Sequence, residues 1–137
     1  MIKILILEDD NERIKLFKRN FINAKLRIVK TVKHAIEELI DEIPHALFLD
    51  HDLGGHVMVE SGGKEETGYD VAKFLVENPQ YIPQKIYIHS LNPSGQNNIK
   101  GLLPSAEIAP FIWGHEVDFN YFDFKEPMLV TKVKIIE

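Results

Sequence analysis

Apolar residues open the chain almost without interruption. Ile2 to Leu7 reads IKILIL, in which Lys3 is the single polar residue. A short run of this kind is typical of a strand buried on both faces of a sheet, and it predicts a central first strand. Apolar residues then recur at helical spacing behind Asp10 and Asn11, either of which can cap a helix, so a first helix is expected from about Asn11 to Ile22. Its predicted inward face comprises Ile14, Phe17, Phe21 and Ile22.

The alternation of strand and helix continues along the chain. Strand-like runs occur at Leu26–Val29, Ala46–Leu49 and Lys85–Ile88. Thr31 and Thr67 stand where helix N-caps are expected, and a fourth helix is expected to begin at Asn92 or Pro93, since proline suits the first helical position. Helical spacing predicts the buried faces of the second and third helices: Val32, Ala35, Ile36, Leu39 and Ile40, and then Val71, Ala72, Leu75 and Val76.

The pattern is weaker beyond Pro104. Ile108–Trp113 suits a fifth strand, Phe119–Phe124 is an aromatic cluster, and Met128–Ile136 alternates as a late strand does. Four alternations of strand and helix with short connections favour a parallel sheet covered by helices on both faces. We therefore expect an α/β fold, a three-layer α/β/α sandwich around a central parallel five-stranded sheet with a divergent C-terminal strand, in one domain spanning residues 1–137.

Composition narrows the classes of function. No stretch approaches the roughly 18 to 20 apolar residues that span a bilayer, and the N-terminus has no basic lead or cleavage site, so we expect a cytoplasmic protein with no membrane partner. The net charge is −5, and the basic residues form no single block, which argues against duplex DNA as a partner. The chain has no cysteine, so a metal ion must be bound by carboxylate, imidazole, amide or water, which favours Mg²⁺ or Mn²⁺.

Polar residues follow three of the predicted strands directly. They are Glu8, Asp9 and Asp10 after the first strand, Asp50, His51 and Asp52 after the third, and His89, Ser90 and Asn92 after the fourth. Because ligands of parallel α/β folds bind at the carboxyl ends of the strands, we expect these residues to face one crevice. Neighbouring buried carboxylates repel each other, and a divalent cation held together with a phosphate group relieves that repulsion. The alternative is a solvated edge without a ligand.

The segments LILEDD, FLDHDL and IYIHS resemble, in this order, the receiver domains of two-component signalling. The resemblance covers roughly residues 1–113 and implies the flavodoxin-like receiver fold, with 114–137 as a divergent extension. It implies that Asp50 accepts a phosphoryl group, that Asp9 and Asp10 hold Mg²⁺ together with Asp50, and that Ser90 contacts a phosphoryl oxygen. Receivers also place a lysine after the fifth strand, whereas this sequence has no lysine between Lys100 and Lys125.

Two longer motifs carry a narrower resemblance. DHDLGG and HSLNPSGQNN are similar to the cyclic-phosphate processing receiver family, a divergent branch predicted to act on cyclic phosphates. The similarity implies divalent-metal-dependent action on a phosphate-containing small molecule or an RNA end, such as a 2′,3′-cyclic phosphate. The chain would then be a metal-dependent phosphoesterase.

Candidate residues for this chemistry divide by role. The metal ligands expected are Asp9, Asp10, Asp50 and Asp52. Asp50, His89 and His51 are the candidate catalytic residues, with either histidine as general acid or base, because an imidazole pKa of about 6.5 makes both protonation states available near neutral pH. Ser90 and Asn92 would donate hydrogen bonds to phosphate oxygens, and Gly95 would let the ligand approach the start of the fourth helix closely.

Other functions stay open at this point. The chain can be a stand-alone signalling receiver phosphorylated on Asp50, or a sensor that binds a phosphorylated ligand without turnover. The stretch His51–Glu66 is expected to be a loop, and its segment Gly54–Glu66 is either a lid over the site or a disordered surface loop. The aromatic segment Phe119–Phe124 either stacks a nucleobase or packs against a sheet edge or a second subunit, so the oligomeric state is open and a dimer is one outcome.

Overall fold

The computed structural model describes residues 2–22, 24–50, 67–89 and 93–109. Within these residues, strands and helices alternate along the chain, with one short 3-10 helix at Pro79–Tyr81. The strands are β1 (Ile2–Leu7), β2 (Ala24–Val29), β3 (Ala46–Leu49), β4 (Lys85–Ile88) and β5 (Glu107–Ile108). The helices are α1 (Asn11–Asn20), α2 (Val32–Asp41), α3 (Gly68–Glu77) and α4 (Pro93–Leu102).

The strands form one parallel sheet in the order β2-β1-β3-β4-β5. This is the order of the flavodoxin-like doubly wound fold, in which the chain first winds outward to β2 and then crosses back. The expected α/β fold with a central five-stranded parallel sheet is confirmed. β3 lies in the middle of the sheet, with β1 and β4 as its two neighbours.

Two hydrophobic layers cover the two faces of the sheet. Side chains alternate along each strand, so Leu5 and Leu7 of β1 pack on one face while Ile4 and Ile6 pack on the other. Helices α2, α3 and α4 cover the first face, and α1 covers the second through Phe17. Each fully buried Leu, Ile or Phe side chain stabilises the fold by about 1.5–3 kcal/mol, so these two layers are the main stabilising feature of the described residues.

Side-chain caps fix the starts of three helices. The Asp10 carboxylate accepts hydrogen bonds from the backbone N–H groups of Glu12 and Arg13 at 2.9 and 3.1 Å, so Asp10 is the cap of α1. Thr31 caps α2 through the backbone N–H of His34. Thr67 caps α3 in a reciprocal capping box with Asp70. The caps predicted at Thr31 and Thr67 are therefore confirmed.

The prediction that three apolar residues face the core is wrong. The exposed fraction is 75% for Ile22, 50% for Ile40 and 45% for Val76. α1 ends at Asn20, so Ile22 lies beyond the part of the chain where helical spacing applies. Ile40 and Val76 each follow a fully buried leucine by one residue, and a rotation of about 100° per residue carries them off the inward face.

Several expectations concern residues outside the described ranges. They are the stretch 51–66, most of the fifth strand predicted at 108–113, the aromatic cluster at 119–124 and the late strand at 128–136. None of the helices in the described part of the chain is long and apolar enough to cross a membrane.

Candidate functional site

The register of the sheet aligns the ends of its three central strands. Leu7 of β1 pairs with Leu49 of β3, and Leu49 pairs with Ile88 of β4. The next residue on each strand is Glu8, Asp50 and His89, respectively. These three residues therefore stand side by side at the carboxyl edge of the sheet.

The backbone ladder continues one residue past each of these strands. The N–H of Asp50 donates to the carbonyl of Leu7 at 3.3 Å, and the N–H of His89 donates to the carbonyl of Leu49 at 3.0 Å. The N–H of Glu8 donates to the carbonyl of Val29 at 2.9 Å. The backbones of all three residues are thus held by the sheet and not by a loop.

All three side chains point to the face that α1 covers. Strand alternation puts Glu8 on the side of Ile6, Asp50 on the side of Phe48 and His89 on the side of Tyr87. The centroid of the His89 imidazole lies 5.2 Å from that of the Phe17 ring in an edge-to-face arrangement. The exposed fraction is 0% for Glu8, 1% for Asp50 and 1% for His89, so three ionisable groups are buried beneath one helix.

Glu8 is the centre of the hydrogen bonds in this cluster. Its Oε2 atom accepts from the backbone N–H groups of Asp9 and Asp10, each at 3.0 Å. Its Oε1 atom lies 3.1 Å from His89 Nε2; an ionised Glu8 can only accept, and Nε2 then carries the hydrogen in this contact. The protonated Asp50 carboxyl donates a further hydrogen bond to the Glu8 side chain.

One cation lies against both acids. The Nη1 atom of Arg13, in the first turn of α1, is 3.7 Å from Glu8 Oε1 and 3.7 Å from Asp50 Oδ2. The Arg13 side chain is 25% exposed, whereas the side chains of Glu8 and Asp50 are 0% and 2% exposed. Arg13 therefore stands between the buried acids and the solvent.

Burial favours the neutral form of each of the three residues, so it raises the pKa of the two acids and lowers the pKa of His89. Desolvation raises the pKa of Asp50 to about 7, helped by the nearby charge of Glu8 and opposed by His89 and Arg13. Desolvation also raises the pKa of Glu8, although the backbone hydrogen bond from Asp10 and the charge of Arg13 oppose it. Desolvation lowers the pKa of His89 to about 4, so the imidazole is neutral near pH 7. The ordinary value assumed from the sequence does not apply to this histidine.

The cluster has the chemistry and the dimensions of a metal site. The candidate ligand atoms of Glu8, Asp50 and His89 all lie within 4.8 Å of one another. Ligands on opposite sides of an ion bound at about 2.1–2.3 Å are separated by about 4.2–4.6 Å, so small side-chain movements would let one ion contact all three. Two carboxylates and a neutral imidazole suit a divalent cation, which would also replace the proton that the raised pKa of Asp50 favours on that carboxyl.

The residues predicted from the sequence are distributed unevenly around this cluster. Asp50 and His89 lie in it, Asp9 is half-buried beside it, and Asp10 is exposed and caps α1. Gly95 is buried in the first turn of α4. His51, Asp52, Ser90 and Asn92 lie outside the described residues.

Glu8 is a central residue that the sequence-based ligand set left out. The resemblance to receivers assigned the acidic pair to Asp9 and Asp10. The strand register supplies the missing signal, because β1 and β3 both end in a leucine and these two leucines are paired. Glu8 and Asp50 each follow one of these leucines, so Glu8 is the acid of β1 that lies level with Asp50.

The N-terminus of α3 packs against the backbone at the end of β3. A Cβ atom placed on Gly68, the first residue of α3, would lie 2.2 Å from the carbonyl oxygen of Asp50 and 3.4 Å from Ile99 Cδ1. No side chain fits at that distance from a backbone oxygen. Glycine is therefore required for α3 to pack against the end of β3.

Comparison with known proteins places the chain among receiver domains. The model of the family described as Cyclic-phosphate processing Receiver domain matches residues 4–105. The Sensory transduction protein LytT of Bacillus subtilis (strain 168) is 30% identical over 79 residues, covering 55% of this chain and 29% of that protein. The present chain thus matches less than a third of that relative's length.

Solved structures of receiver domains share the fold. A CheY-like response regulator receiver domain from Methylobacillus flagellatus superposes with a TM-score of 0.62 at 17% identity, covering 100% of this chain and 99% of that one. The response regulator TrrA from Thermotoga maritima, solved in complex with Mg²⁺-BeF, gives a TM-score of 0.61 at 15% identity with full coverage of both chains. At these identities the likeness shows the receiver fold.

Proposed function

The chain belongs to the cyclic-phosphate processing receiver domain family, and from this premise we propose that it acts on cyclic phosphates with the help of a divalent metal ion. The substrate class is a phosphate-containing small molecule or an RNA end, with a 2′,3′-cyclic phosphate as the model compound. The observation that carries the proposal is the burial of Glu8, Asp50 and His89 together at the ends of three adjacent strands.

The donor set favours Mn²⁺ over Mg²⁺, with both as candidates. Mg²⁺ prefers oxygen ligands, whereas Mn²⁺ accepts imidazole nitrogen together with carboxylates. The pKa of His89, lowered to about 4, keeps its nitrogen available to a metal at neutral pH. The T. maritima response regulator, which shares this fold and was solved in complex with Mg²⁺-BeF, supports a divalent ion as the cofactor.

Each group of the cluster has a distinct task in the proposed reaction. A bound ion would polarise a phosphoryl oxygen and lower the pKa of a bound water. Glu8 and Asp50 would hold the ion through their carboxylates, while the backbone N–H groups of Asp9 and Asp10 fix the Glu8 carboxylate in place. The rings of Phe17 and Phe48 against His89 keep water away from the inner side of the site.

The test is turnover of cyclic phosphates by the purified protein. Wild type with Mn²⁺ or Mg²⁺ should open 2′,3′-cyclic nucleotides to monophosphates, measured by ³¹P NMR. The Asp50→Asn variant should lose this activity, whereas Asp41→Asn, the same change at an exposed position of α2, should retain it. Absence of product from a broad panel of cyclic phosphates, with wild type and Asp50→Asn binding them equally, would overturn the proposal. Binding that requires Asp50 but gives no product would instead favour a sensor.

A phosphoryl-accepting receiver is a second candidate. The position of Asp50 supports it, because this carboxyl closes the central strand of the sheet and lies beside Arg13. The relative named as a sensory transduction protein points the same way. With acetyl phosphate and Mg²⁺, the intact mass should increase by one phosphoryl group in wild type and not in Asp50→Asn. An unchanged wild-type mass would exclude this candidate.

A further inference from the structure

Arg13 occupies a position that helix stability does not explain. It is the third residue of α1, and the positive end of the helix dipole disfavours a cation in the first turn. The neighbouring Asp10 cap and Glu12 carry the charge that this helix end favours. Among the described residues, the contacts of Arg13 with Glu8 and Asp50, each at 3.7 Å, offset this cost.

An anionic substrate needs positive charge at this edge beyond the metal ion. Two carboxylates would neutralise a divalent cation, so a phosphate group approaching the cluster would meet little net attraction. Described cations near the strand ends have different surroundings. Lys30 donates to Asn11 at the surface, and Lys100 donates to the carbonyl oxygens of Pro104 and Ala106. Arg13 is the cation that the described structure places against the cluster itself.

The chemistry of the guanidinium suits a bridging role. Arginine carries five N–H donors in a planar fork and pairs well with both carboxylate and phosphate oxygens. Its side chain is 25% exposed, whereas the side chains of Glu8 and Asp50 are 0% and 2% exposed, so Arg13 is the one of these three groups that solvent reaches. A single residue can therefore contact the cluster and an incoming anion together.

We propose that Arg13 binds the phosphate group of the substrate and sets the affinity of the site for anions. The inference rests on the proposed action on cyclic phosphates and assigns the anion-binding role to one residue. A merely structural Arg13 would instead neutralise Glu8 and Asp50 and make no contact with substrate. The two roles predict different effects of Arg13→Gln on the affinity for Mn²⁺. A phosphate-binding Arg13 predicts no loss of this affinity, and a structural Arg13 predicts a loss.

The experiment measures the two ligands separately by isothermal titration calorimetry at pH 8.5. The first titration uses Mn²⁺ alone, and the second uses 2′,3′-cyclic AMP with saturating Mn²⁺. In Arg13→Gln the affinity for the nucleotide should fall about 10- to 100-fold, the size of one charge-assisted contact. The Mn²⁺ affinity should be equal or higher, because a positive charge near the dication has been removed. Arg13→Lys should be intermediate for the nucleotide, and Lys30→Gln should change it less than about twofold, as expected for a screened surface charge.

The outcomes separate this inference from the proposed function. If wild type binds no cyclic nucleotide, both fail. If wild type binds and Arg13→Gln binds equally well, only the role of Arg13 is overturned. Loss of Mn²⁺ and nucleotide binding together in Arg13→Gln, with Arg13→Lys like wild type in both titrations, would assign a structural role and overturn the inference as well. An equal loss of nucleotide affinity in Lys30→Gln would show that the effect comes from the general positive charge at this edge of the sheet, and it would overturn the inference too.

Discussion

Replacing His89 with glutamine should change how the stability of the metal-free protein depends on pH. The glutamine Nε2 amide keeps a donor near the position of His89 Nε2, which contacts Glu8 Oε1 at 3.1 Å, but it cannot take up a proton. The substitution therefore removes one titrating group while preserving the hydrogen bond. The two acids of the cluster remain.

The sign of the effect follows from the pKa shifts. The pKa of His89 is about 4 in the folded protein and 6.5 ordinarily, so between these values the unfolded chain binds a proton that the folded protein does not. His89 thus makes stability rise as the pH increases from 4 to 6.5. The pKa of Asp50 is raised from 3.8 to about 7 and that of Glu8 is raised too, so the acids make stability fall over much of the same range. The opposing contributions partly cancel in wild type.

The magnitude is set by the His89 shift. At 1.36 kcal/mol per pKa unit, removing this contribution should change the difference in unfolding free energy between pH 4 and pH 6.5 by about 3 kcal/mol. His89→Gln should therefore lose stability more steeply with rising pH than wild type does.

Urea unfolding at half-unit pH intervals, in buffer containing EDTA, measures both curves. His34→Gln is the matched control, since His34 is exposed on α2 and the substitution there should leave the curve parallel to that of wild type. Parallel curves for wild type and His89→Gln would refute the reasoning. They would mean that His89 is not buried in its neutral form beneath α1.

Three further expectations test the same site. Gly68→Ala should destabilise the protein by about 1–3 kcal/mol in urea unfolding, because its Cβ would lie 2.2 Å from the Asp50 carbonyl, whereas Gly101→Ala, with nothing within 4 Å of its Cβ, should be neutral or stabilising. Equal effects of the two would contradict the close packing of α3. Asp10→Ala should lower the free energy of unfolding by about 1 kcal/mol, because the cap of α1 is lost. Asp10→Asn should retain both the stability and the affinity for Mn²⁺. A large loss of Mn²⁺ affinity in Asp10→Asn would show that Asp10 is a metal ligand. Mn²⁺ at 100 times its Kd should stabilise wild type by about 2.7 kcal/mol in thermal unfolding at pH 8, and at a fixed Mn²⁺ concentration it should stabilise less at pH 5, where protons compete for the acids. No pH dependence of the Mn²⁺ effect would separate the metal site from Asp50.

Much of the fold was accessible from the sequence because most of its signals are local. β3 and β4 were predicted with their observed bounds, and the caps Thr31 and Thr67 lie where their side chains can reach the first backbone amides. The errors lie where the local sequence pattern does not determine where a helix ends or which residues it buries. Ile22 follows Ile14 by eight residues, a spacing that returns to the same helix face, but nothing in that spacing shows that the helix has ended.

The site was predictable as a location and less so as a set of ligands. Strand ends placed the acids and the histidine at one edge, because parallel strands share a direction. Which residue turns inward depends on the register between strands, and that register joins residues about 40 positions apart in the sequence. Burial was also beyond the sequence, so neither the raised pKa of Asp50 nor the lowered pKa of His89 followed from composition.

The backbone hydrogen bonds of the sheet continue one residue past the strands, so the spacing of the strands sets the spacing of the three residues in the cluster. Neighbouring strands are separated by about 4.8 Å, and the backbones of Glu8, Asp50 and His89 are tied to that spacing by hydrogen bonds. The backbone positions of these three residues therefore do not depend on a loop, and the side-chain length of each sets how far it reaches toward an ion. Glu8 reaches one methylene further than an aspartate would, so exchanging these two acids in a receiver of this kind changes the size of the ion it can hold while leaving every charge in place.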